Sequence, residues 1–306
     1  MIRKALATAT TLRRSLGCIS VATAALLGAS CGSSDNTPAE VLYTTNTFSH
    51  GTALQYALPL TATSTSRISF SLGASSYVAT DPNGNLAIGN ALGSVSVFNA
   101  PLSETSMPIA KFALTSVNEG QSAFGPDGSL YVSNVAGGVE VFMPPFSNES
   151  SVDSTIAATN LAQNVGTGFD ATGNLYVTSI GSAGSNLFVF APPYTGAPIE
   201  TTATAGSYGQ LIISGSQLFV CNTASGSLGK VDVYSLPLTT ASVPAFSITS
   251  DINVPAGVAF DNEGNLYVSN PGSSAVTVFA PPFTAASAAT TTLTINSHIN
   301  GIAIAK

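Results

Sequence analysis

Charged side chains are scarce in this sequence: they make up only 8% of its 306 residues, whereas hydrophobic residues make up 44%. A chain this apolar is not expected to be disordered, and its shortage of Lys, Glu and Leu argues against a helical protein. Valine, threonine, tyrosine and phenylalanine instead recur in short runs between glycines and prolines. That pattern favours an all-β fold.

Basic residues are especially few, and they are unevenly placed. Four of the eight lie at Arg3, Lys4, Arg13 and Arg14, whereas all fifteen acidic residues follow Cys31. From Cys31 onwards the chain carries four basic against fifteen acidic residues, a formal charge of −11. Proteins that bind nucleic acid present clusters of Lys and Arg, so no nucleic-acid partner is expected. We interpret the negative charge as a contribution to solubility.

Cysteine occurs only three times. Cys18 falls in an N-terminal segment that is expected to be removed, Cys31 is a candidate for lipid modification, and Cys221 stands alone in a predicted strand. No disulfide is expected in the mature chain if Cys31 is acylated. We interpret Cys221 as a small buried hydrophobic residue.

The first 30 residues carry the features of an export signal. Residues 1–14 are basic, residues 15–30 are apolar and small, and Cys31 follows. The apolar part is too short for a good membrane span. The junction Leu27-Gly28-Ala29-Ser30-Cys31 resembles a bacterial lipobox, although Gly28 stands where a leucine is usual. This resemblance implies cleavage before Cys31 and attachment of a lipid to it.

We therefore expect a signal peptide at 1–30, a flexible tether at 31–40 and one folded domain at 41–306. The lipid would hold a monomeric protein on the bacterial cell envelope, in the periplasm or at the cell surface, and would be its only contact with the membrane. Plain secretion and an uncleaved anchor are the alternatives. The pair Arg13-Arg14 also resembles, weakly, a twin-arginine export signal.

A unit of about 44 residues repeats along the body of the chain. Its best copy, NVPAGVAFDNEGNLYVSNPGSSAVTVFAPPF at 253–283, predicts strands at 257–260, 266–269 and 275–279. The turn at 261–264 begins with Asp, which accepts backbone N–H groups, and ends with Gly, which adopts positive φ. A fourth strand rich in Ser and Thr follows each copy. The second strands of the six copies begin at Leu42, Leu86, Leu130, Leu175, Leu218 and Leu266.

A proline-bearing corner ends the third strand of every copy, because proline cannot donate to a strand ladder. The apolar residue after each of these prolines is expected to fill the gap between neighbouring units. The corners are Leu58-Pro59-Leu60, Ala100-Pro101-Leu102, Pro144-Pro145-Phe146, Pro192-Pro193-Tyr194, Leu236-Pro237-Leu238 and Pro281-Pro282-Phe283.

Six units of four strands predict a six-bladed β-propeller. Strands that converge on an axis favour small side chains, and the aligned middle residue of the innermost strand is small in five units. These aligned residues are Ala79, Ala123, Gly168, Ile212, Ala259 and Ala303. The first unit lacks an innermost strand, and residues 301–305 match 257–261. We therefore expect the C-terminal strand to complete the first blade and close the ring.

The motif GVAFDNEGNLYVSN…VTVFAPPF resembles the NHL repeat and, more loosely, the six-bladed SMP-30/gluconolactonase group. The resemblance covers 41–306 and implies the propeller fold. It implies little about function. The second strand here ends in Asn at 46, 90, 134, 222 and 270, where NHL repeats more often have Asp.

Ligand sites in such rings usually lie on the face that gathers the loops entering each first strand and the loops between second and third strands. We call this the mouth face. Many side chains of this face are Asn and Gln amides, which suit a neutral polar ligand. The alternative is that the asparagines hydrogen-bond the backbone of their own loops. The candidate binding residues are Asn118, Gln163, Asn164, Tyr208, Asn253 and Asn300.

Three further residues are candidates for catalysis: His50, His298 and Glu119, all expected in loops of the mouth face. Two imidazoles and a carboxylate suit acid–base chemistry or a divalent cation. A lactonase would instead need a cluster of acidic and amide ligands on the axis, and Asp81, Asp170 and Asp261 are predicted on the opposite face. No phosphate-binding, nucleophile-elbow or metalloprotease motif occurs.

The sequence therefore favours a non-enzymatic, envelope-tethered propeller that binds a protein or a glycan and needs no cofactor. The alternative is a metal-assisted lyase or hydrolase, similar to the lactonases or to virginiamycin B lyase, with a divalent cation at the mouth. A structural role in an envelope assembly is a third hypothesis.

Overall fold

The computed structural model describes residues 39–46, 51–73, 75–117, 119–159, 161–181, 184–201, 206–223, 228–295 and 297–306. The expected signal peptide, Cys31, His50 and Asn118 lie outside these ranges, as do the side chains of Glu119 and Asn164. Within them the only helical segment is a single 3-10 turn, Pro271–Ser273. None of the described residues forms a helix long and apolar enough to cross a bilayer.

The strands form six antiparallel sheets of four, each ordered as in a propeller blade, from the innermost strand outwards. Blade 1 is β24 (Ile299–Ala305), β1 (Val41–Asn46), β2 (Thr52–Ala57) and β3 (Ile68–Ser71). Blade 2 is β4 (Ser75–Thr80), β5 (Leu86–Asn90), β6 (Ser94–Phe98) and β7 (Ala110–Ala113). Blade 3 is β8 (Glu119–Phe124), β9 (Leu130–Asn134), β10 (Val139–Phe142) and β11 (Ser154–Ile156).

The second half of the ring repeats the arrangement. Blade 4 is β12 (Gln163–Phe169), β13 (Leu175–Gly181), β14 (Gly184–Phe190) and β15 (Ile199–Glu200). Blade 5 is β16 (Ser207–Ser214), β17 (Gln217–Thr223), β18 (Lys230–Ser235) and β19 (Phe246–Ile248). Blade 6 is β20 (Gly257–Phe260), β21 (Leu266–Asn270), β22 (Ala275–Phe279) and β23 (Thr291–Thr294). The predicted six-bladed propeller is confirmed.

The C-terminal strand closes the ring as predicted. β24 pairs antiparallel with β1, with Tyr43 opposite Ala303 and Val41 opposite Ala305. The innermost strands contact one another in the cyclic order β24, β4, β8, β12, β16, β20 and back to β24. A buried hydrogen bond of 3.0 Å from the Gly301 amide to the Thr45 hydroxyl ties the strand to blade 1. The closing strand therefore covers two edges that would otherwise be open.

Apolar side chains of neighbouring blades pack into six separate clusters, one for each blade-to-blade gap. The residue after each corner proline belongs to the cluster on the side of the preceding blade, which confirms the predicted plugging role. These residues are Leu60, Leu102, Phe146, Tyr194, Leu238 and Phe283. All six corner X-Pro peptide bonds are cis.

The turns between the first and second strands are built around an aspartate. The Asp261 carboxylate accepts hydrogen bonds from the Asn265 amide at 2.8 Å, from the Asn265 side chain at 2.8 Å and from the Tyr267 hydroxyl at 3.0 Å. Gly264 completes the turn with a φ of 80°. The same network surrounds Asp170 in blade 4. These aspartates were expected on the face opposite the mouth. Their hydrogen bonds to the turns account for their presence.

Candidate ligand-binding site

The innermost strands are irregular where they approach the mouth face. In five blades the pairing of the innermost with the second strand shifts register there. An extra residue in a strand turns the neighbouring side chains to new directions. Tyr77, Gln121 and Gln210 lie inside three of these bulged segments, between Ser75 and Val78, Glu119 and Ser122, and Tyr208 and Leu211.

A cavity of about 250 Å³ opens on the mouth face; we call it the mouth pocket. Blades 1, 2, 4, 5 and 6 all contribute to its wall. Its apolar lining is Val165, Ile180, Val254, Pro255, Ala256 and Pro271. Its polar-capable lining is Tyr77, Ser207, Tyr208, Thr223, His298 and Asn300. None of the described residues of this lining carries a carboxylate, and their side chains suit a neutral ligand with an apolar side.

A second cavity, of about 550 Å³, runs along the axis on the far side of the bulges; we call it the channel. Innermost strands of all six blades line it, and most of the side chains are small or apolar. Asp261 and Lys306 stand at its far end. Gly168 leaves room for blade 5 here, because an added Cβ would lie 2.7 Å from the Leu211 side chain. The side chains of Leu211 and Ile213 in blade 5 take up the space that this glycine leaves.

Gln121 links three blades across the axis. Its side-chain oxygen accepts hydrogen bonds from the backbone amides of Thr167 in blade 4 and Leu211 in blade 5, both at 3.0 Å. Its side-chain NH₂ donates to the Leu211 carbonyl at 3.1 Å. The side chain therefore ties the inner strands of blades 3, 4 and 5 together at the wall of the channel.

Gln210 lies in the corresponding position of blade 5 but behaves differently. It is fully buried, and neither of its side-chain polar atoms has a hydrogen-bond partner in the described part of the chain. A Cβ added at Gly257 would lie 2.5 Å from its side-chain oxygen, 2.7 Å from Ile302 Cγ2 and 3.0 Å from the Asn300 carbonyl. Ile302 lines the channel and Asn300 lines the mouth pocket. Gly257 therefore makes room for the Gln210 amide, which packs beside the inner strands of blades 6 and 1.

Val254 has a strained backbone at the wall of the mouth pocket. Its φ is 55°, in the left-handed region, which a β-branched residue rarely adopts. Its side chain is 39% exposed. Strain of this kind tends to persist at ligand sites, where the surrounding structure holds it in place.

The strand-end asparagines are used within the protein. Asn270 accepts the Asn253 amide at 2.8 Å and donates to the Thr277 hydroxyl at 2.8 Å. Asn134 accepts the Ala136 amide at 2.7 Å and donates to the Glu140 carboxylate at 2.5 Å. These amides hold the loops that surround the mouth, as the second interpretation of them predicts. They are not presented to a ligand.

Two buried carboxylates near the mouth face also have structural partners. Besides Asn134, Glu140 accepts the backbone amide of Thr115 at 3.3 Å. Asp232, at the matching place in blade 5, accepts the Asn222 side chain at 2.6 Å and forms a salt bridge of 2.8 Å with Lys230. Both acids are 1% exposed. They brace the second and third strands and are closed off from a substrate.

The predicted binding residues are placed unevenly around the mouth. Asn300 lines the mouth pocket, Gln163 is exposed at the start of β12, and Asn253 is half-buried beside Asn270. Tyr208 is only 1% exposed, and its hydroxyl bonds that of Tyr234 inside the core between blades 4 and 5. Its phenol therefore packs as a core residue. The predictions for Asn118 and for the Asn164 side chain fall outside the described residues.

The proposed catalytic set is described only in part. His298 is exposed at the mouth pocket, whereas His50 and the Glu119 side chain fall outside the described residues. Glu119 is the first residue of β8 rather than a loop residue. Within the described ranges, no three His, Cys, Asp or Glu side chains are grouped closely enough to hold a metal ion.

No protein-family model matches the chain, and no curated protein matches it significantly. Solved structures do. A protein of unknown function from Bacteroides caccae superposes with a TM-score of 0.64 at 12% identity, over 88% of this chain and 100% of that one. A functionally unknown protein from Desulfotomaculum acetoxidans gives 0.59 at 15% identity, over 87% and 86%.

A gluconolactonase from Xanthomonas campestris is also similar, with a TM-score of 0.56 at 12% identity, over 74% of this chain and 78% of that one. These likenesses show the fold alone. At such low identity they carry no residue of the gluconolactonase over to this chain.

Sequence reasoning missed Tyr77, Val254 and Gln210. Tyr77 and Gln210 sit in strand bulges, which a two-residue alternation does not reveal. One signal was present in the sequence. Gln121 and Gln210 each stand two residues before the aligned inner-strand residue, Ala123 or Ile212. A bulky polar side chain is unexpected so close to the axis of a propeller.

Proposed function

We propose that this protein is an envelope-tethered binding propeller that holds a neutral part of a protein or glycan partner in the mouth pocket. The export signal and the lipobox-like junction at Cys31 support the tether. The observation that carries the proposal is the mouth pocket itself. The described part of its wall comes from five blades and holds apolar side chains, hydroxyls, an amide and the His298 imidazole, and a strained Val254 borders it.

Exposed apolar side chains elsewhere on the mouth face support contact with a larger partner. Leu92, Val117 and Leu228 project from loops of the mouth face and are 77%, 61% and 64% exposed. Exposed apolar side chains on the same face as a pocket are suited to a partner that buries them on binding. Glycan rings and neutral peptide segments both offer such surfaces.

The second candidate is a metal-assisted lyase or hydrolase that uses His298 with His50 and Glu119. Two observations favour it: His298 borders the mouth pocket, and the chain shares its fold with the Xanthomonas gluconolactonase. Purified protein with added Zn²⁺, Mg²⁺ or Ca²⁺ would then open lactones, and His298→Ala would abolish the activity. If the wild type turns over a lactone and His298→Ala does not, that result would favour this candidate over simple binding.

A binding screen with matched variants tests the leading proposal. The full chain is probed against arrays of neutral glycans and of uncharged peptides, as wild type, Val254→Arg and Val243→Arg. Val254 borders the pocket, whereas Val243 is 70% exposed in the connection between β18 and β19, away from it. We expect Val254→Arg to lose at least tenfold in affinity and Val243→Arg to match wild type. Equal binding by all three forms contradicts the proposal.

The tether has its own test. Mass spectrometry of the protein from its native cells should find a chain that begins at Cys31 and carries a lipid. Cys31→Ser should release the protein from the membrane fraction. A mature chain that begins elsewhere, or membrane association that survives Cys31→Ser, contradicts the lipid anchor.

A further inference from the structure

Asn300 and Ser207 differ from the strand-end asparagines of the mouth face. Asn270 bonds the Asn253 amide and the Thr277 hydroxyl, so its carboxamide is used within the protein. Asn300 and Ser207 both line the mouth pocket and are half-buried, yet their side chains make no hydrogen bond to another residue of the described ranges. Polar groups in such a position keep their hydrogen-bonding capacity for a ligand.

The size of the mouth pocket limits what it can hold. Its volume of about 250 Å³ lies below the range of roughly 300–1,000 Å³ that is typical of sites for drug-sized ligands. The pocket is therefore suited to a single ring or a single side chain rather than to a length of polymer.

We propose that the mouth pocket binds one neutral pyranose ring and that hydroxyls of this sugar hydrogen-bond to Asn300 and Ser207. This inference rests on the proposed function of the pocket and assigns it to a sugar rather than to a peptide. The ligand is defined by the ring itself, which is either a free monosaccharide or the terminal residue of a glycan.

The number of polar groups in so small a pocket favours a sugar. Hydroxyls and carboxamides both donate and accept hydrogen bonds. A pyranose carries several hydroxyls around one ring, so it offers partners to Asn300, to Ser207 and to the Thr223 hydroxyl, which also lines the pocket. An uncharged amino-acid side chain of similar size carries a single polar group. It would leave the others without a partner, which is costly once water is excluded.

The remaining lining suits the apolar faces of such a ring. The C–H groups on the faces of a pyranose pack on aromatic and aliphatic surfaces. Tyr77 provides an aromatic surface at this pocket, and Val254 and Pro255 provide aliphatic ones. None of the described lining residues is an acid, a lysine or an arginine. A neutral sugar therefore fits this wall better than a charged one, which would lose hydration without an ion pair in return.

Saturation-transfer NMR and calorimetric titration of the full chain test the inference. The sugar probes are the methyl glycosides of glucose, galactose, mannose and N-acetylglucosamine. The N-acetyl amides of serine, asparagine and leucine stand for single peptide side chains. The proteins are wild type, Asn300→Leu, Ser207→Ala, Val254→Arg and the control Asn262→Leu, an exposed asparagine on the face of the aspartate turns. Their Tm values without ligand are recorded as well.

We expect at least one methyl glycoside to bind wild type. Asn300→Leu and Ser207→Ala should each weaken that binding about three- to tenfold, as loss of a hydrogen bond should. Asn262→Leu should bind as wild type does. Because neither Asn300 nor Ser207 bonds another described residue through its side chain, both variants should keep their Tm within about 2 °C of wild type.

The source of the ring is assigned by comparing the bound methyl glycoside with neutral glycans that end in the same sugar. Similar affinities for the two assign a terminal glycan residue. Binding that any extension of the sugar abolishes assigns a free monosaccharide.

Four outcomes overturn the inference. No methyl glycoside binds wild type; only the N-acetyl amides bind, which assigns the pocket to a peptide side chain; a sugar binds, but neither Asn300→Leu nor Ser207→Ala weakens it; or both variants lose binding together with several degrees of Tm, which assigns them structural roles. Val254→Arg judges the proposed function separately. If it loses glycan or peptide binding, the mouth pocket stands and only the single sugar ring falls. If it binds every ligand as wild type does, both fall.

Discussion

The side-chain oxygen of Gln121 accepts a hydrogen bond of 3.0 Å from the backbone amide of Leu211, two blades further along the ring. The same oxygen accepts the Thr167 amide of the blade between them. Inner strands have no further strand to pair with, so their backbone groups near the axis need other partners. Gln121 supplies them from a single side chain.

Replacing Gln121 with methionine should therefore destabilise the ring. The Thr167 and Leu211 amides would lose their acceptor, and we expect the free energy of unfolding to fall by about 2 kcal/mol. Urea unfolding followed by circular dichroism measures this. Gln163→Met is the matched control, because Gln163 is exposed. A Gln121→Met protein as stable as the control would show that the hydrogen bonds of Gln121 do not stabilise the ring.

The closing strand offers a second test of stability. Thr45 is completely buried, and its hydroxyl accepts the Gly301 amide of β24. Thr45→Val keeps the shape but leaves that amide without its acceptor, so we expect a loss of about 1–3 kcal/mol. Thr292→Val on the exposed side of β23 should change little. Equal stabilities for the two variants would contradict the role assigned to this hydrogen bond.

Strain at Val254 predicts a stabilising substitution. Asparagine tolerates the left-handed region better than a β-branched residue, so Val254→Asn should raise the free energy of unfolding by about 1 kcal/mol. Val243 is also exposed but is not among the residues with positive φ. Val243→Asn should therefore change stability by less than about 0.5 kcal/mol. If Val254→Asn is instead destabilising, the side chain of Val254 contributes more than its strain removes.

The thiol of Cys221 should be unreactive in the folded protein. Burial raises its pKa, and the side chain is inaccessible, so the reactive thiolate is suppressed. In a full-length Cys18→Ser, Cys31→Ser protein, Ellman's reagent should react with Cys221 only after denaturant is added. Rapid reaction in native buffer at about pH 8 would show that blade 5 opens locally.

Acid should weaken the Asp170 turn in a defined direction. Burial alone would raise the pKa of Asp170, but hydrogen bonds from Asn174 and Thr172 outweigh it, and the pKa lies below its usual value. A depressed pKa in the folded state contributes stability that is present above the unfolded value of about 3.9 and is lost as the pH falls through the folded value.

Comparison of wild type with Asp170→Asn by urea unfolding between about pH 2 and pH 7 checks this sign. Wild type should hold its advantage above about pH 5 and lose it progressively in acid. Gln163→Met, at an exposed residue without a titrating group, should show no such trend. A stability difference that is independent of pH would contradict the role of the ionised carboxylate.

The features predictable from the sequence are those fixed by local rules. Aspartate and glycine set the turn at 261–264, proline ends each third strand, and the match of 301–305 to 257–261 reveals the closure. The packing of the inner strands near the mouth was not predictable in the same way. A bulge is one extra residue whose effect depends on the neighbouring blade, and the Gln210 side chain fits only because the residue beside it in the next blade is Gly257.

The amides of the mouth illustrate the same limit. From the sequence alone, Asn134 and Asn270 are possible ligand-binding amides. The folded loops show that both side chains are hydrogen-bonded to neighbouring residues of the protein. Conversely, Val254 could not be picked out from the sequence, because no residue pattern around it predicts a positive φ. Part of the site therefore depends on tertiary contacts that no local pattern encodes.

The central claim is that ligands bind at the mouth pocket, and a crystal structure with a ligand from the array screen tests it most directly. We predict density for that ligand against Tyr77, Val254 and Asn300. Density confined to the face of the aspartate turns, or to the outer strands of the blades, would contradict the account.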